Sequence, residues 1–203
     1  YDPDTMSPFM HVDYYSKDIL KEKGKYKEGK KEGMWTYYSP SILIAPYKYD
    51  GTKTYIFSET NYKNGKLDGA YKRYYESGEI NEEGNYNEGK MDGLWKFYSR
   101  YGNIIKEENY KDDRLESFKS YYISGQIFQE GNYKNGVKEG LWIETNLDLE
   151  EREETNYKNG KKDGVFKRYD LSKSTTIPKD KGQYKNNITV GLWTIVDPLN
   201  GKV

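Results

Sequence analysis

The chain has 203 residues with 33 basic and 33 acidic side chains, one His and no Cys. Disulfides and thiolate metal sites are thereby excluded, as is any mechanism that needs two imidazoles, and zero net charge argues against the basic footprint of a dedicated nucleic-acid binder. Leu, Ile, Val and Phe together number only 36, against 23 Tyr and an aromatic share of 16%, so a folded chain must build its apolar surface from rings.

No stretch approaches the roughly 20 apolar residues of a helical membrane span. The first residue is not Met; a removed leader on an exported protein and a trimmed cytoplasmic chain both explain that. Richness in Lys, Asn, Tyr and Ile fits an AT-rich, bacterial coding sequence.

Residues 1–13 read as an irregular lead-in, with His11 a polar surface residue beside Asp13. From Tyr14 the sequence repeats itself. Asn61-Tyr62-Lys63-Asn64-Gly65-Lys66-Leu67-Asp68-Gly69-Ala70-Tyr71 returns as Asn85 to Trp95, Asn132 to Trp142 and Asn156 to Phe166, with weaker copies from Lys25, Asn109 and Gln183. The marker tyrosines Tyr26, Tyr62, Tyr86, Tyr110, Tyr133, Tyr157 and Tyr184 are spaced 36, 24, 24, 23, 24 and 27 residues apart. The period is 24, with an insertion at residues 39–52 lengthening the first copy. Such regularity marks a repeat array, here seven copies and a partial one.

Each copy reads as two strands. Gly69 to Glu76 is aromatic-rich and ends at Ser77-Gly78; Glu79 to Tyr86 follows and ends at Glu88-Gly89. Asn64-Gly65, Asn135-Gly136 and Asn159-Gly160 are the dipeptides most favoured in type I′ hairpin turns. With Ser77-Gly78 as a two-residue loop, Tyr75 faces Ile80, Arg73 faces Glu82, Lys72 faces Glu83, and Tyr71 covers the bare backbone of Gly84. Down the repeats run two rows. One is the ring at Trp35, Tyr71, Trp95, Phe118, Trp142, Phe166 and Trp193; the other is Leu20, Ile56, Ile80, Ile104 and Ile127, broken later by Glu151 and Pro178. The expected fold class is all-β: stacked antiparallel β-hairpins in an extended, twisted, single-layer meander over residues 14–197, followed by a short tail at 198–203. Trp193 to Pro198 replaces polar strand positions with apolar ones and reads as a terminal cap. The fourth copy lacks both turn glycines, and the fifth has Glu144-Thr145-Asn146 in place of a strand running into Tyr; both are expected to be irregular or bent.

The pattern Tyr-x-x-Gly-x-x-x-Gly-x-Trp-x-x-Tyr, best carried by Tyr86 to Tyr98, resembles the MORN repeat, and more closely its bacterial variant, the YwqK-type antitoxins. The resemblance spans roughly residues 14–197. It implies a β-hairpin array with a binding or scaffolding role and no catalytic residue; the antitoxin side of it implies a partner toxin.

Little in the chain suggests catalysis. Gly24 to Lys31 nearly matches a phosphate-binding loop but ends in Lys where Ser or Thr should hold Mg²⁺, and the other copies share its Tyr-x-x-Gly-Lys core. Glu82-Glu83, Glu107-Glu108 and Glu153-Glu154 are adjacent on strands and point to opposite faces, so they form no acid–base pair. Neither an enzyme nor a cofactor site is expected. The candidate binding residues are the rings Trp35, Tyr71, Trp95, Phe118, Trp142 and Phe166, and the apolar stretch Ile42, Leu43 and Ile44 between two prolines. The rings either form the core of a thin sheet or stack on a ligand, with one face free to do each. The Ile42–Ile44 stretch is either a protruding loop or a hairpin folded onto the sheet. Lys17 to Lys31 carries seven Lys against three acids, and Glu144 to Glu154 six acids against Arg152; both read as solvated edges or steering patches. Two functions stand: a non-enzymatic protein-binding or scaffold module with an unidentified protein partner, and a carbohydrate or cell-wall ligand module using stacked rings. Phospholipid binding is disfavoured by zero net charge.

Overall fold

The structure, a computed structural model, describes residues 9–16, 19–40, 54–173 and 176–196. Ile42, Leu43 and Ile44 lie outside the described residues. Sixteen strands, and no helix among the described residues, make up the fold: β1 (Phe9–Ser16), β2 (Ile19–Lys27), β3 (Lys30–Pro40), β4 (Thr54–Lys63), β5 (Lys66–Tyr74), β6 (Ile80–Asn87), β7 (Lys90–Met91), β8 (Gly93–Tyr98), β9 (Ile104–Lys111), β10 (Arg114–Tyr121), β11 (Ile127–Lys134), β12 (Val137–Asn146), β13 (Glu151–Lys158), β14 (Lys161–Asp170), β15 (Asp180–Lys185) and β16 (Ile188–Ile195).

The chain divides into two units, residues 1–104 with 111–113 and residues 105–110 with 114–203. In the first, β1 to β6 and then β8 follow one another as hydrogen-bonded neighbours, with β7 pairing β6; in the second, β9 to β16 do the same. Among the described strands the pairings are antiparallel and none returns to close a barrel. Substantial contacts join only neighbouring strands, so each unit is one layer thick. The fold class is therefore the one expected, an all-β open meander of hairpins. The lead-in is not irregular throughout: Met10-His11-Val12-Asp13-Tyr14 alternates apolar and polar, the period a strand requires, and residues 9–16 pair with β2.

Two turns alternate. In the tight one, both central residues have positive φ, as in Asn64 (52°) and Gly65 (81°) between Lys63 and Lys66. This is the type I′ geometry that matches strand twist. The fourth copy is not irregular here. Asp112 and Asp113 adopt φ of 49° and 65°, because short acidic side chains tolerate the left-handed region better than other non-glycine residues. The second turn corrects the expected two-residue loop at Ser77-Gly78. The Tyr75 amide donates to the Glu79 carbonyl (2.9 Å) and the Gly78 amide to the Tyr75 carbonyl (2.9 Å), a type I turn closed by a left-handed glycine, which makes a three-residue loop. Ile80 consequently faces Tyr74 rather than Tyr75, and a bulge restores Arg73 opposite Glu82 and Lys72 opposite Glu83. The same turn recurs at Ser99–Asn103 and Tyr122–Gln126. The fifth copy also keeps its strand: β12 runs on to Asn146, and the Tyr122 hydroxyl holds the Thr145 carbonyl at 2.7 Å.

Candidate functional site

Because side chains alternate across a strand, register sorts them into rows on two faces. On the first face of unit 1 the row reads His11, Gly24, then Trp35 opposite Thr60, Tyr71 opposite Gly84, and Trp95. In unit 2 it reads Phe118 opposite Gly131, Trp142 opposite Thr155, and Phe166 opposite Gly182, ending at Trp193. Each Trp lies flat on the bare backbone of the preceding strand. A Cβ built on Gly24, Gly84 or Gly131 would sit 2.2 Å from Cδ2 of Trp35, Trp95 or Trp142. Thus Tyr71 is in register with Gly84, as expected, but the ring that covers the glycine is Trp95 from the following strand. Having no side chain to displace, the glycine gives the indole a flat seat.

The seat is fixed from several sides. Trp35, Trp95 and Trp142 donate Nε1–H to the carbonyls of Lys25, Asn85 and Asn132 at 3.2, 3.3 and 3.1 Å. Tyr26, Tyr86 and Tyr133 meet the same indoles edge-on at 5.0, 5.1 and 5.1 Å between centroids, the arrangement ring quadrupoles favour. Lys31 and Lys138 lay their ammonium groups 3.9 and 3.8 Å from the centroids of Trp35 and Trp142, and burial pulls the Lys138 pKa down. His11 is not a simple surface residue: its ring lies 5.4 Å from Trp35 and its Nε2 3.3 Å from Glu22.

Of the candidate binding rings, Trp35, Trp95, Trp142 and Phe166 are buried, at 0 to 3% exposure. Tyr71 and Phe118 are half-buried. Rings so enclosed serve as the core of a one-layer sheet. A signal for this pairing was present in the chain. Two residues before the marker tyrosines stand Gly24, Thr60, Gly84, Glu108, Gly131, Thr155 and Gly182 in turn. Trp follows only after Gly; Tyr or Phe follows after Thr or Glu. The true repeat is therefore two hairpins long.

The opposite face differs. There the residue preceding each ring is aliphatic in most copies, and Met34, Leu94, Leu141 and Val165 are exposed, with Asn61 and Asn156 across from Met34 and Leu141. Beside the aliphatic stripe of each unit runs a ladder of charges: in the first Lys72 pairs with Glu83 at 3.8 Å, in the second Lys119 with Glu130 at 2.8 Å. Half-exposed pairs of this kind contribute about 1 kcal/mol at most. Tyrosines extend the ladder, with Tyr74, Tyr98 and Tyr121 donating to Glu59, Glu83 and Glu107 at 2.7, 2.6 and 2.6 Å. Glu82 and Glu83 thus serve opposite faces, Glu82 answering Arg73 at 3.1 Å.

A cleft of about 360 Å³ opens in unit 1, lined by Tyr37, Phe57, Tyr62, Leu67 and Tyr71 among others. The Tyr37 and Tyr62 hydroxyls lie 2.9 Å apart, and Lys31 donates to Tyr37 at 2.9 Å. Thr60 contributes to its lining, and its buried Oγ1 has no hydrogen-bond partner.

Burial, with the Glu82 carboxylate nearby, pushes the Tyr71 hydroxyl up to about 12; burial and the bond to Glu59 do the same for Tyr74. In the unfolded chain both ionise near 10. Folding therefore favours their neutral forms, a contribution complete below pH ~10 and lost as pH rises towards 12. Stability measured by denaturation should hold to about pH 10 and then fall, and Tyr71→Phe/Tyr74→Phe should flatten part of that fall. An unchanged alkaline profile in the double variant would contradict these assignments.

Among the described residues no cluster of three or more His, Asp or Glu side chains is placed to hold a metal ion, and no helix is long and apolar enough to cross a membrane. No protein-family model and no curated protein matches the chain. A solved structure, the crystal structure of a GtfA/B complex bound to UDP and GlcNAc, is similar over 43% of this chain at 15% identity and a TM-score of 0.30. The match spans 20% of that protein's chain, and a likeness this distant carries no argument about function.

Proposed function

We propose that the chain is a non-enzymatic protein-binding or scaffold repeat protein that offers the face opposite its rings to a protein partner. The observation that carries this reading is an exposed aliphatic stripe in each unit, Met34 and Leu94 in the first and Leu141 and Val165 in the second, set beside charged pairs on the face the core does not use. Aliphatic groups flanked by charge are the composition of an interface centre and its rim. The MORN-like pattern and its antitoxin variant fit the same role, with a toxin as the implied partner. The test is a cross-linked pull-down from native cells with the wild-type chain and with Leu94→Lys/Leu141→Lys. The expected result is a partner held by the wild type and lost by the variant, with the melting temperature of the variant unchanged. Equal capture by both would contradict the reading.

A second reading, glycan binding, is favoured by the tyrosine-lined cleft and the unpartnered Thr60 hydroxyl at its wall. Under it, intrinsic fluorescence of the wild type responds to glycan titration and Tyr62→Ala abolishes the response; under the first reading fluorescence stays flat.

A further inference from the structure

Strand β16 reads Ile188-Thr189-Val190-Gly191-Leu192-Trp193-Thr194-Ile195 and, among the sixteen described strands, is the one without a charged side chain. It is also an edge, hydrogen-bonded among the described residues to β15 alone. Natural sheets blunt such edges with Lys, Pro or a bulge, because unpaired backbone groups recruit further strands. The bulge at Gly191 does not serve here, since Gly33 and Gly140 share its positive φ in strands paired on both sides. Nor is β16 the cap expected from the sequence. A cap turns a polar surface outward, whereas Ile188, Leu192 and Ile195 are largely exposed, and Trp193 is 38% exposed against 0% for Trp35 and 3% for Trp142.

The interior of each unit shows what covers an indole. Trp35 and Trp142 each face a threonine of the next antiparallel strand, Thr60 and Thr155. Two residues on, Tyr62 and Tyr157 turn their rings edge-on at 6.2 and 6.3 Å, opposite Gly33 and Gly140. Trp193 and Gly191 stand in the same relation to each other but, among the described residues, lack that neighbour.

We propose that the β16 edge is a strand-addition site for a protein partner carrying an antiparallel segment of the form apolar-x-Thr-x-Tyr. Threonine lies against Trp193, tyrosine against Gly191, and the apolar side chain against Ile195. Main-chain hydrogen bonds supply the affinity of such additions and side-chain fit their selectivity. A second copy of the chain fits poorly. Its β1 sets the His11 ring at the level of the indoles, its β16 sets another Trp there, and Trp35 and Trp142 have only glycine and threonine beside them in register. The site does not depend on the stripe proposed above.

The test uses the whole chain and a synthetic peptide of sequence Thr54–Lys63 carrying Ser58→Val, with hydrogen exchange of the Ile188–Ile195 amides as readout. Fast exchange is expected at alternate amides of the free protein, at least tenfold slower exchange at saturating peptide, and no slowing with the same peptide carrying Thr60→Trp. Slow exchange in the free protein, protection by both peptides alike, or concentration-dependent self-association that protects these amides would overturn the proposal.

Discussion

Trp95→Ala should lower the stability of the protein by about 3–5 kcal/mol, the usual loss for a large buried aromatic. The indole is 2% exposed and simultaneously covers Gly84, donates to Asn85 and packs between Tyr71 and Tyr86, at 5.4 and 5.1 Å. In a one-layer sheet nothing behind the ring can collapse into the space it leaves. Tyr71 cannot fill it without giving up its bond to Glu82 at 3.3 Å. Denaturant unfolding measures the loss directly, and a midpoint unchanged from the wild type would show that the ring is not core.

Gly84→Ala should cost about 3 kcal/mol, at the upper end of what overpacking a filled site costs. Its new methyl would stand 2.2 Å from Cδ2 of Trp95, where non-bonded carbons keep about 3.5–4.0 Å. The ring must then leave its seat and lose its bond to Asn85. The two substitutions should not add. In Gly84→Ala/Trp95→Ala the methyl occupies space the indole has vacated, so the double variant should be no less stable than Trp95→Ala alone. Additive losses in the same unfolding measurement would mean that the two residues do not share one site.

The hairpin architecture was legible because turn chemistry and a 24-residue period state it locally: a dipeptide such as Asn64-Gly65 specifies its turn with no help from the rest of the chain. The pairing of Lys72 with Glu83 followed from the register of one hairpin. What escaped depends on contacts between hairpins. Trp95 lies on Gly84 across a strand pair that belongs to two successive copies, so a single hairpin suggests Tyr71 instead. The three-residue turn that sets Ile80 opposite Tyr74 is fixed by the hydrogen bonds of Tyr75 with Glu79 and Gly78, and the bulge between Arg73 and Tyr74 then restores the outer register. His11 reads as surface because it stands in the lead-in near Asp13, yet the ring it meets, Trp35, is 24 residues away. As for the candidate site, the ring row was visible as a row, but whether it faced a ligand or formed the core depended on burial, which the glycines two residues before the marker tyrosines encode only once the strands are paired.

The division of labour between the faces is tested most directly by two neighbouring residues. Leu94 and Trp95 are adjacent in β8 and point to opposite faces, one 47% exposed and the other buried. Urea unfolding of Leu94→Lys beside Trp95→Ala should show the first within about 0.5 kcal/mol of wild type, as surface changes usually are, and the second lower by about 3–5 kcal/mol. Equal losses, or a loss confined to Leu94→Lys, would contradict a core on the ring face and a partner surface on the other.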